Sequence, residues 1–270
     1  MELKVRILMV NISLLNDGLN LSTLQPKVKI FDELDSTNLE AKRQIIDGSD
    51  QDLLIISSTQ TNGRGRGSRT WFSPMGGLYF SLILRPRLGP QFAPLASFLS
   101  GCAVVKGLLS LGVEYVRLKW PNDVLVMENK IAGILNELVS TDPIDAWMIL
   151  GVGINQNISL TEFPEEIAGQ STSVLDILGV ITSPESLLCT VVNEIDRLVS
   201  IVESENSYIP ILNMWRTMSD TLGRRVRVDD GIKTVMGLAE ELLDDGTLVV
   251  ATDTGKEMIT LGDVTYLRSD

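Results

Sequence analysis

The chain has 270 residues, 44% of them hydrophobic, and a formal net charge of −12. That length can bury a sizeable core as one large domain plus a small one, and the acidic balance argues against DNA binding by the body of the protein. No histidine occurs, which excludes Ser-His-Asp triads, Cys-His pairs and histidine-built metal sites and leaves chemistry to arginine, lysine, carboxylates and backbone.

In chain order, the opening "MELKVRILMVNISLLNDG" imitates a signal peptide, but Asn11 and Ser13 interrupt the apolar run and no small-residue cleavage site follows. No stretch reads as long and apolar enough to span a bilayer. Residues 1–26 read as a short N-terminal extension, too short for a helix-turn-helix domain. "FDELDSTNLEAKRQIIDG" follows, with Thr37 three residues before Glu40 in a capping-box spacing and Gly48 as a stop, so a short helix entered from a turn is expected. "LLIISS" (53–58) and "GGLYFSLILRP" (76–86) read as strands. "FAPLASFLSGCAVVKGLLSLG" (92–112) is apolar at helical spacing with almost no charge, which predicts a buried helix.

Three strand-like runs come next, "VRLKW", "DVLVM" and "KIAGILNELV", separated by turn chemistry at 121–123 and 128–130. "WMILGVGINQN" (147–157) is a further strand, and helices are expected near 184–204 and 207–220. From Leu222 the texture changes to short apolar runs alternating with "DDG", "DDG" and "DTG" turns, the pattern of a small antiparallel barrel. The expected division is therefore 1–26, a catalytic or binding domain at 27–221, and a small domain at 222–270. Cys102 and Cys189, both in apolar contexts, fit core thiols in a reducing cytosol.

Charge is unevenly spread. Between Asp52 and Glu114 there is no acidic residue, while Arg64, Arg66, Arg69, Arg85, Arg87 and Lys106 fall there, so this window is +6 and the remainder −18. Such asymmetry points to a local anionic ligand. At its centre "GRGRGSRTW" (63–71) combines a backbone able to fold closely around a ligand with guanidinium forks for carboxylate or phosphate oxygens. A solvated RG loop of RNA-binding type is the alternative. "KWPND" (119–123) reads equally as an ordinary hairpin, and Lys130 of "KIAGIL" either snorkels to water or points at an anion. "GVGIN" (151–155) lacks the third glycine of a dinucleotide loop, and no P-loop occurs.

In this order and spacing, "DSTN", "TQTNGRGRGSRTWFSP", "GGLYFSLILRP", "KWPND", "KIAGIL" and "GVGIN" resemble the catalytic core of biotin protein ligases, also called biotin-[acetyl-CoA-carboxylase] ligases, from about residue 30 to 160. The small C-terminal unit matches that family's SH3-like domain. The resemblance implies an α+β fold, a mixed β-sheet flanked by helices of the class II synthetase and biotin-lipoate ligase kind. It implies a cytoplasmic, monofunctional enzyme that uses ATP and Mg²⁺ to convert biotin to biotinoyl-AMP, then biotinylates one lysine of a biotin carboxyl carrier domain. Dimerisation is usual in the family, and the sequence does not decide it; no membrane and no DNA partner is implied, since neither a winged-helix segment nor a basic character for one is found.

Position by position, the resemblance assigns biotin contacts to Ser36, Thr37, Asn38, Gln60, Arg64 and Gly65. Arg66 corresponds to the arginine that forms and retains the adenylate, and Lys130 to the lysine that reaches the biotin carboxylate. Arg69 and Trp71 would pack about the nucleotide, Lys119 serves adenylation, Asn122 and Asp123 lie at the nucleotide and metal side, and Asn155 meets the nucleotide. Asp123 is also a candidate helper for deprotonating the acceptor amine. Gly67 and Ser68 depart from a frequent bacterial form, GRGRRGR; the added glycine raises the entropic cost of ordering the loop, so faster loss of adenylate is expected. Two rivals stand beside this reading: a lipoate ligase or octanoyltransferase of the same fold, and a non-catalytic RNA-binding module, against which the overall −12 charge speaks.

Overall fold

The structure, a computed structural model, describes residues 9–86, 88–140 and 146–267. Helix α1 (Ile12–Gly18) leads into β1 (Lys27–Leu34), α2 (Thr37–Ile46), β2 (Leu53–Gln60) and β3 (Leu78–Leu84). A 3₁₀ segment (Pro90–Leu95) then runs into α3 (Ala96–Ser110), followed by β4 (Val116–Lys119), β5 (Asp123–Val126), β6 (Asn129–Ser140) and β7 (Ala146–Ile154). Four helices, α4 (Glu165–Ala168), α5 (Val174–Leu178), α6 (Pro184–Glu205) and α7 (Ile209–Met218), precede the strands β8 (Arg225–Asp229), β9 (Thr234–Leu242), β10 (Leu248–Thr252), β11 (Gly255–Ile259) and β12 (Asp263–Tyr266).

The first seven strands form one mixed sheet in the order β1-β2-β3-β7-β6-β5-β4. Only β1 with β2 is parallel, the two being joined through α2. Because side chains alternate across a strand, one set faces the main core: Leu54 and Ile56 of β2, Phe80 and Leu82 of β3, and Leu150 and Val152 of β7, packed under α3, α6 and α7. The opposite set, Leu53, Ile55, Ile83, Trp147 and Ile149, packs with Ala41 and Ile45 of α2. Helix α2 covers only part of that second face. Where its cover ends, the residues on this face change from large and apolar to Gly133, Gly151 and Gly153, which let Trp71 and Asn38 rest directly on the strand backbone.

Phe92–Ser110 is long and apolar enough by length and composition to cross a membrane, contrary to the expectation that no stretch would be. Its position explains the composition: a helix wrapped by sheet and helices is apolar all round, and Ala103, Val104 and Leu108 are fully buried. Residues 9–26 also enter the core through Leu15 and Leu24, and Asp196 of α6 accepts the backbone N–H groups of Ser22, Thr23 and Leu24. Residues 1–8 of the expected extension, and Arg87, lie outside the described residues.

The change of texture at Leu222 corresponds to an antiparallel five-stranded sheet in the order β11-β10-β9-β8-β12. It sits directly on the main unit. Trp120 donates its indole N–H to Gly246 O at 3.1 Å and its backbone N–H to Thr221 Oγ1 at 2.9 Å. Val226, Val228, Leu248 and Val250 continue the main core, so burial of apolar area, not a tether alone, fixes the small sheet beside the arginine loop.

Candidate functional site

One end of the slot is built from hydroxyl and amide groups. Ser36 is the N-cap position of α2, but its side chain makes no cap bond. Nor does the Thr37–Glu40 spacing act as a capping box: Thr37 is already helical, and its N–H and hydroxyl both donate to Gln60 Oε1, at 2.9 and 3.3 Å. Glu40 meanwhile pairs with Arg43 at 2.8 Å. Gln60, at the end of β2, donates through Nε2 to Ser73 Oγ at 2.8 Å, and Ser73 donates to Trp71 O at 3.0 Å. Asn38 donates through Nδ2 to Leu135 O and Glu137 Oε2, while the Ser81 hydroxyl lies 2.7 Å from Asn38 Oδ1 and 2.8 Å from Thr37 Oγ1. The network runs in one direction, so each amide orientation is chemically determined.

The floor is a patch of sheet without side chains of its own, on which Trp71 and Asn38 rest. Gly133 faces Gly153 across β6 and β7, Leu135 faces Gly151, and Gly151 faces Ser81 of β3. A Cβ on Gly151 would stand 2.1 Å from Asn38 Oδ1, and one on Gly153 would stand 2.5 Å from Trp71 Nε1. The indole therefore lies flat on backbone. Its N–H is buried with no hydrogen-bond partner.

The other end is cationic. Arg66 donates to Gly262 O at 3.1 Å and Asn122 Oδ1 at 3.3 Å, and lies 4.0 Å from the Asp263 carboxylate; Arg69 also pairs with Asp263. Lys130 pairs with Asp123 at 2.6 Å and stands 5.2 Å from the Trp71 ring centre. Burial pushes the Arg66 guanidinium below its ordinary range, against the pull of Asp263 and Asp123. Burial likewise lowers Lys119, which Asp123 opposes and Lys130 reinforces. Concentrated positive charge in a partly desolvated cleft raises the strength of any anion contact made there.

Thus Ser36, Thr37, Asn38 and Gln60 line one pocket with Arg64, Gly65, Arg66 and Arg69, and with Trp71, Asn122, Asp123 and Lys130. Lys119 and Asn155 stand outside its lining. Lys119 Nζ lies 5.1 Å from the Tyr266 ring, and the Asn155 amide donates to Thr172 O at 3.0 Å and Lys130 O at 3.4 Å, supporting the wall behind Lys130. Arg64 turns to Glu137. Sequence reasoning overlooked Glu137, Ser81, Ser73, Asp263 and the three floor glycines. The alternation Gly133, Leu135, Glu137 with Gly151 and Gly153 was the available signal, since period-two glycines leave one strand face empty.

Fold and site together place hydroxyl and amide groups at one end of an elongated slot and cationic groups at the other. A sequence profile described as the biotin/lipoate A/B protein ligase family matches residues 31–155. The bifunctional ligase/repressor BirA of Bacillus subtilis is 31% identical over 255 residues, covering 92% of this chain and 76% of that protein. The biotin--[acetyl-CoA-carboxylase] ligase of Mycobacterium tuberculosis is 32% identical over 241 residues, 86% of each chain. Among solved structures, the biotin protein ligase from Aquifex aeolicus in complex with biotin and ATP superposes with a TM-score of 0.78 at 30% identity, over 90% of this chain and 99% of that one. The chain belongs to the biotin/lipoate A/B protein ligase family.

Proposed function

We propose that this protein is an ATP-dependent biotin protein ligase. A biotin carboxylate oxygen attacks the α-phosphorus of ATP and the bond to pyrophosphate breaks. The lysine amine of a biotin carboxyl carrier domain then attacks the acyl carbon of biotinoyl-AMP, and AMP departs with the carbon–oxygen bond electrons. The observation that carries the reading is the division of the slot: amide and hydroxyl groups of Thr37, Asn38 and Gln60 at one end, Arg66 and Lys130 at the other. Biotin has a neutral cyclic urea and a carboxylate tail, which fits that polarity.

The first step brings two anions together, and cationic groups fixed before reaction offset their repulsion. Arg66, Lys119 and Lys130 carry that role, with Ser36, Arg64 and Gly65 enclosing biotin, and Arg69, Trp71 and Asn122 the nucleotide; Asn155, expected at the nucleotide, instead supports the wall behind Lys130. No cluster of three or more acidic, cysteine or histidine side chains able to hold a metal occurs among the described residues. Asp123 would be the carboxylate nearest a Mg²⁺ ion carried in by the triphosphate, and that ion would supply charge shielding for the leaving pyrophosphate. Asp123 is also the group assigned to help remove the acceptor proton; normal transfer from preformed adenylate by Asp123→Asn would remove that role. We further assign residues 27–221 as the catalytic domain and 222–270 as a second domain that closes its cationic end, acting in the cytoplasm on a carrier protein.

The test is ATP-pyrophosphate exchange with biotin, with lipoate and with neither. Biotin-dependent exchange that disappears in Arg66→Ala supports the reading, since loss of one such charge costs on the order of 10²-fold or more. Exchange with lipoate alone assigns the chain to the lipoate branch, and no exchange with either overturns the proposal.

A further inference from the structure

The arginine loop is fastened at two places that differ in kind. Arg66 and Arg69 reach Asp263 at the slot's anionic end. Arg64 instead pairs with Glu137 on β6, a side chain only 17% exposed. Every direction of the Glu137 carboxylate is used. Oε1 accepts from Lys42 Nζ at 2.7 Å and Arg64 Nη1 at 3.1 Å; Oε2 accepts from Asn38 Nδ2 at 2.9 Å and the same Arg64 nitrogen at 3.1 Å. These partners come from α2 and the loop, the two segments that wrap the slot's neutral end.

We infer that Glu137 is the positioning residue of that neutral end, orienting the Asn38 amide and holding Arg64 away from anion binding. The inference rests on the biotin reading above. Asn38 cannot flip its amide, because the flip would set Oδ1 against both the Leu135 carbonyl and the Glu137 carboxylate. With Nδ2 so engaged, Asn38 presents Oδ1 over the bare backbone of Gly151, and that atom has a lone pair beyond the one facing Ser81. An acceptor fixed there suits a urea N–H. Arg64, tied to the Glu137 carboxylate that it shares with Lys42, serves to close the loop over an uncharged ring, and the anionic tail is left to Arg66 and Lys130. Burial alone would raise the Glu137 carboxyl, but hydrogen bonds from Lys42 and Asn38 and the charges of Lys42 and Arg64 hold it below the usual carboxylate range, so it stays an anion.

The test combines calorimetric biotin titration without ATP and pyrophosphate exchange, on the wild type, Glu137→Gln, Glu137→Asp, Arg64→Gln and the Arg64→Gln/Glu137→Gln double variant. Losing a charge-assisted hydrogen bond that orients a contact group should weaken biotin binding about 10-fold or more in Glu137→Gln. KM for biotin should rise by the same factor, with kcat within about 2-fold and KM for ATP unchanged, the signature of lost uniform binding. The double variant should be little worse than either single one, because the residues act as one unit. A folded Glu137→Gln protein with wild-type biotin affinity, or one that loses kcat with KM unchanged, overturns the assignment. Should Glu137→Gln not fold, Glu137→Asp, which keeps the charge and shortens its reach, carries the test, and wild-type affinity there overturns it. Wild-type protein that neither binds biotin nor supports exchange overturns the biotin reading itself, an outcome distinct from any confined to the variants.

Discussion

Arg69 of the glycine-rich loop pairs with Asp263, 194 positions further along the chain, at the first residue of β12. The same carboxylate faces Arg66 at 4.0 Å. A residue of the small sheet thus holds both arginines at the cationic end of the slot, and on the proposed function an anion bound there would have to exchange with it.

The first prediction concerns that exchange. Asp263→Asn should free the loop in the ligand-free protein, so trypsin should cut after Arg66 or Arg69 at least about 5-fold faster, in line with opening of a locally held segment. Global stability should fall by no more than about 1 kcal/mol, since Asp263 is 44% exposed and such pairs contribute little. Digestion followed by mass spectrometry, with a thermal melt beside it, reads both; an unchanged cutting rate would mean that backbone contacts of the loop suffice to hold it.

A second prediction tests the bare floor. Gly151→Ala would place a methyl 2.1 Å from Asn38 Oδ1 and 2.7 Å from Leu135 O; Leu135 O is fixed in the paired sheet, and Asn38 on α2 is tied through Nδ2 to Leu135 O and Glu137. Overpacking of this kind costs about 1–3 kcal/mol, and displacement of Asn38 should reduce biotin-dependent exchange more than it reduces stability. Near-normal exchange in a folded Gly151→Ala protein would show that the ligand's head does not lie against this strand.

Much of the fold was legible because its signals are local. The buried runs at 53–58 and 76–86, the turn chemistry between β4, β5 and β6, and the helices beginning near Pro184 and Tyr208 all follow from periodicity and caps; Ser183 accepts from Ser186 N–H ahead of Pro184. Strand β1 escaped notice because it is a sheet edge, its "KVKIFDEL" half polar and its pairing with β2 parallel and non-local. Thr37 shows the limit on the site side. Its spacing to Glu40 is a capping signal, yet its hydroxyl goes to Gln60 and Ser81, because β2 and β3 bring stronger partners than the helix end offers. Asp263 and Glu137 were invisible for the same reason: their significance lies in distant arginines. Gly67 adopts φ +62°, a conformation that favours glycine and stands against its entropic cost in the loop.

A third prediction follows from Asp196, 3% exposed. It accepts three backbone N–H groups and the Ser22 hydroxyl. Burial would raise its carboxyl, but the bonds from Ser22, Leu24 and Thr23 lower it below 3.8. Because the folded-state value is the lower one, the stabilisation is present above the unfolded value and lost as pH falls through the folded one. Asp196→Asn should cost about 2–4 kcal/mol at neutral pH and lower Tm by ~5–10 °C. The gap between wild type and variant should narrow only below about pH 4. A gap that stays constant to pH 2 would refute the ionic origin of this contact.

The last prediction uses Lys119, which burial lowers from 10.5 while Asp123 pulls it back and Lys130 adds to the lowering. If its charge serves adenylation, exchange must fall as pH rises through that lowered value, so an alkaline limb should appear below pH 10.5. Lys119→Arg keeps the charge at every accessible pH and should remove the limb, though planar geometry at a site shaped for an ammonium lowers the plateau. Lys119→Met should lower exchange by on the order of 10²-fold at all pH values, leaving a profile without the limb. The discriminating measurement is exchange from pH 6 to 10 for the three proteins at saturating biotin. A limb that persists unchanged in Lys119→Arg belongs to another group.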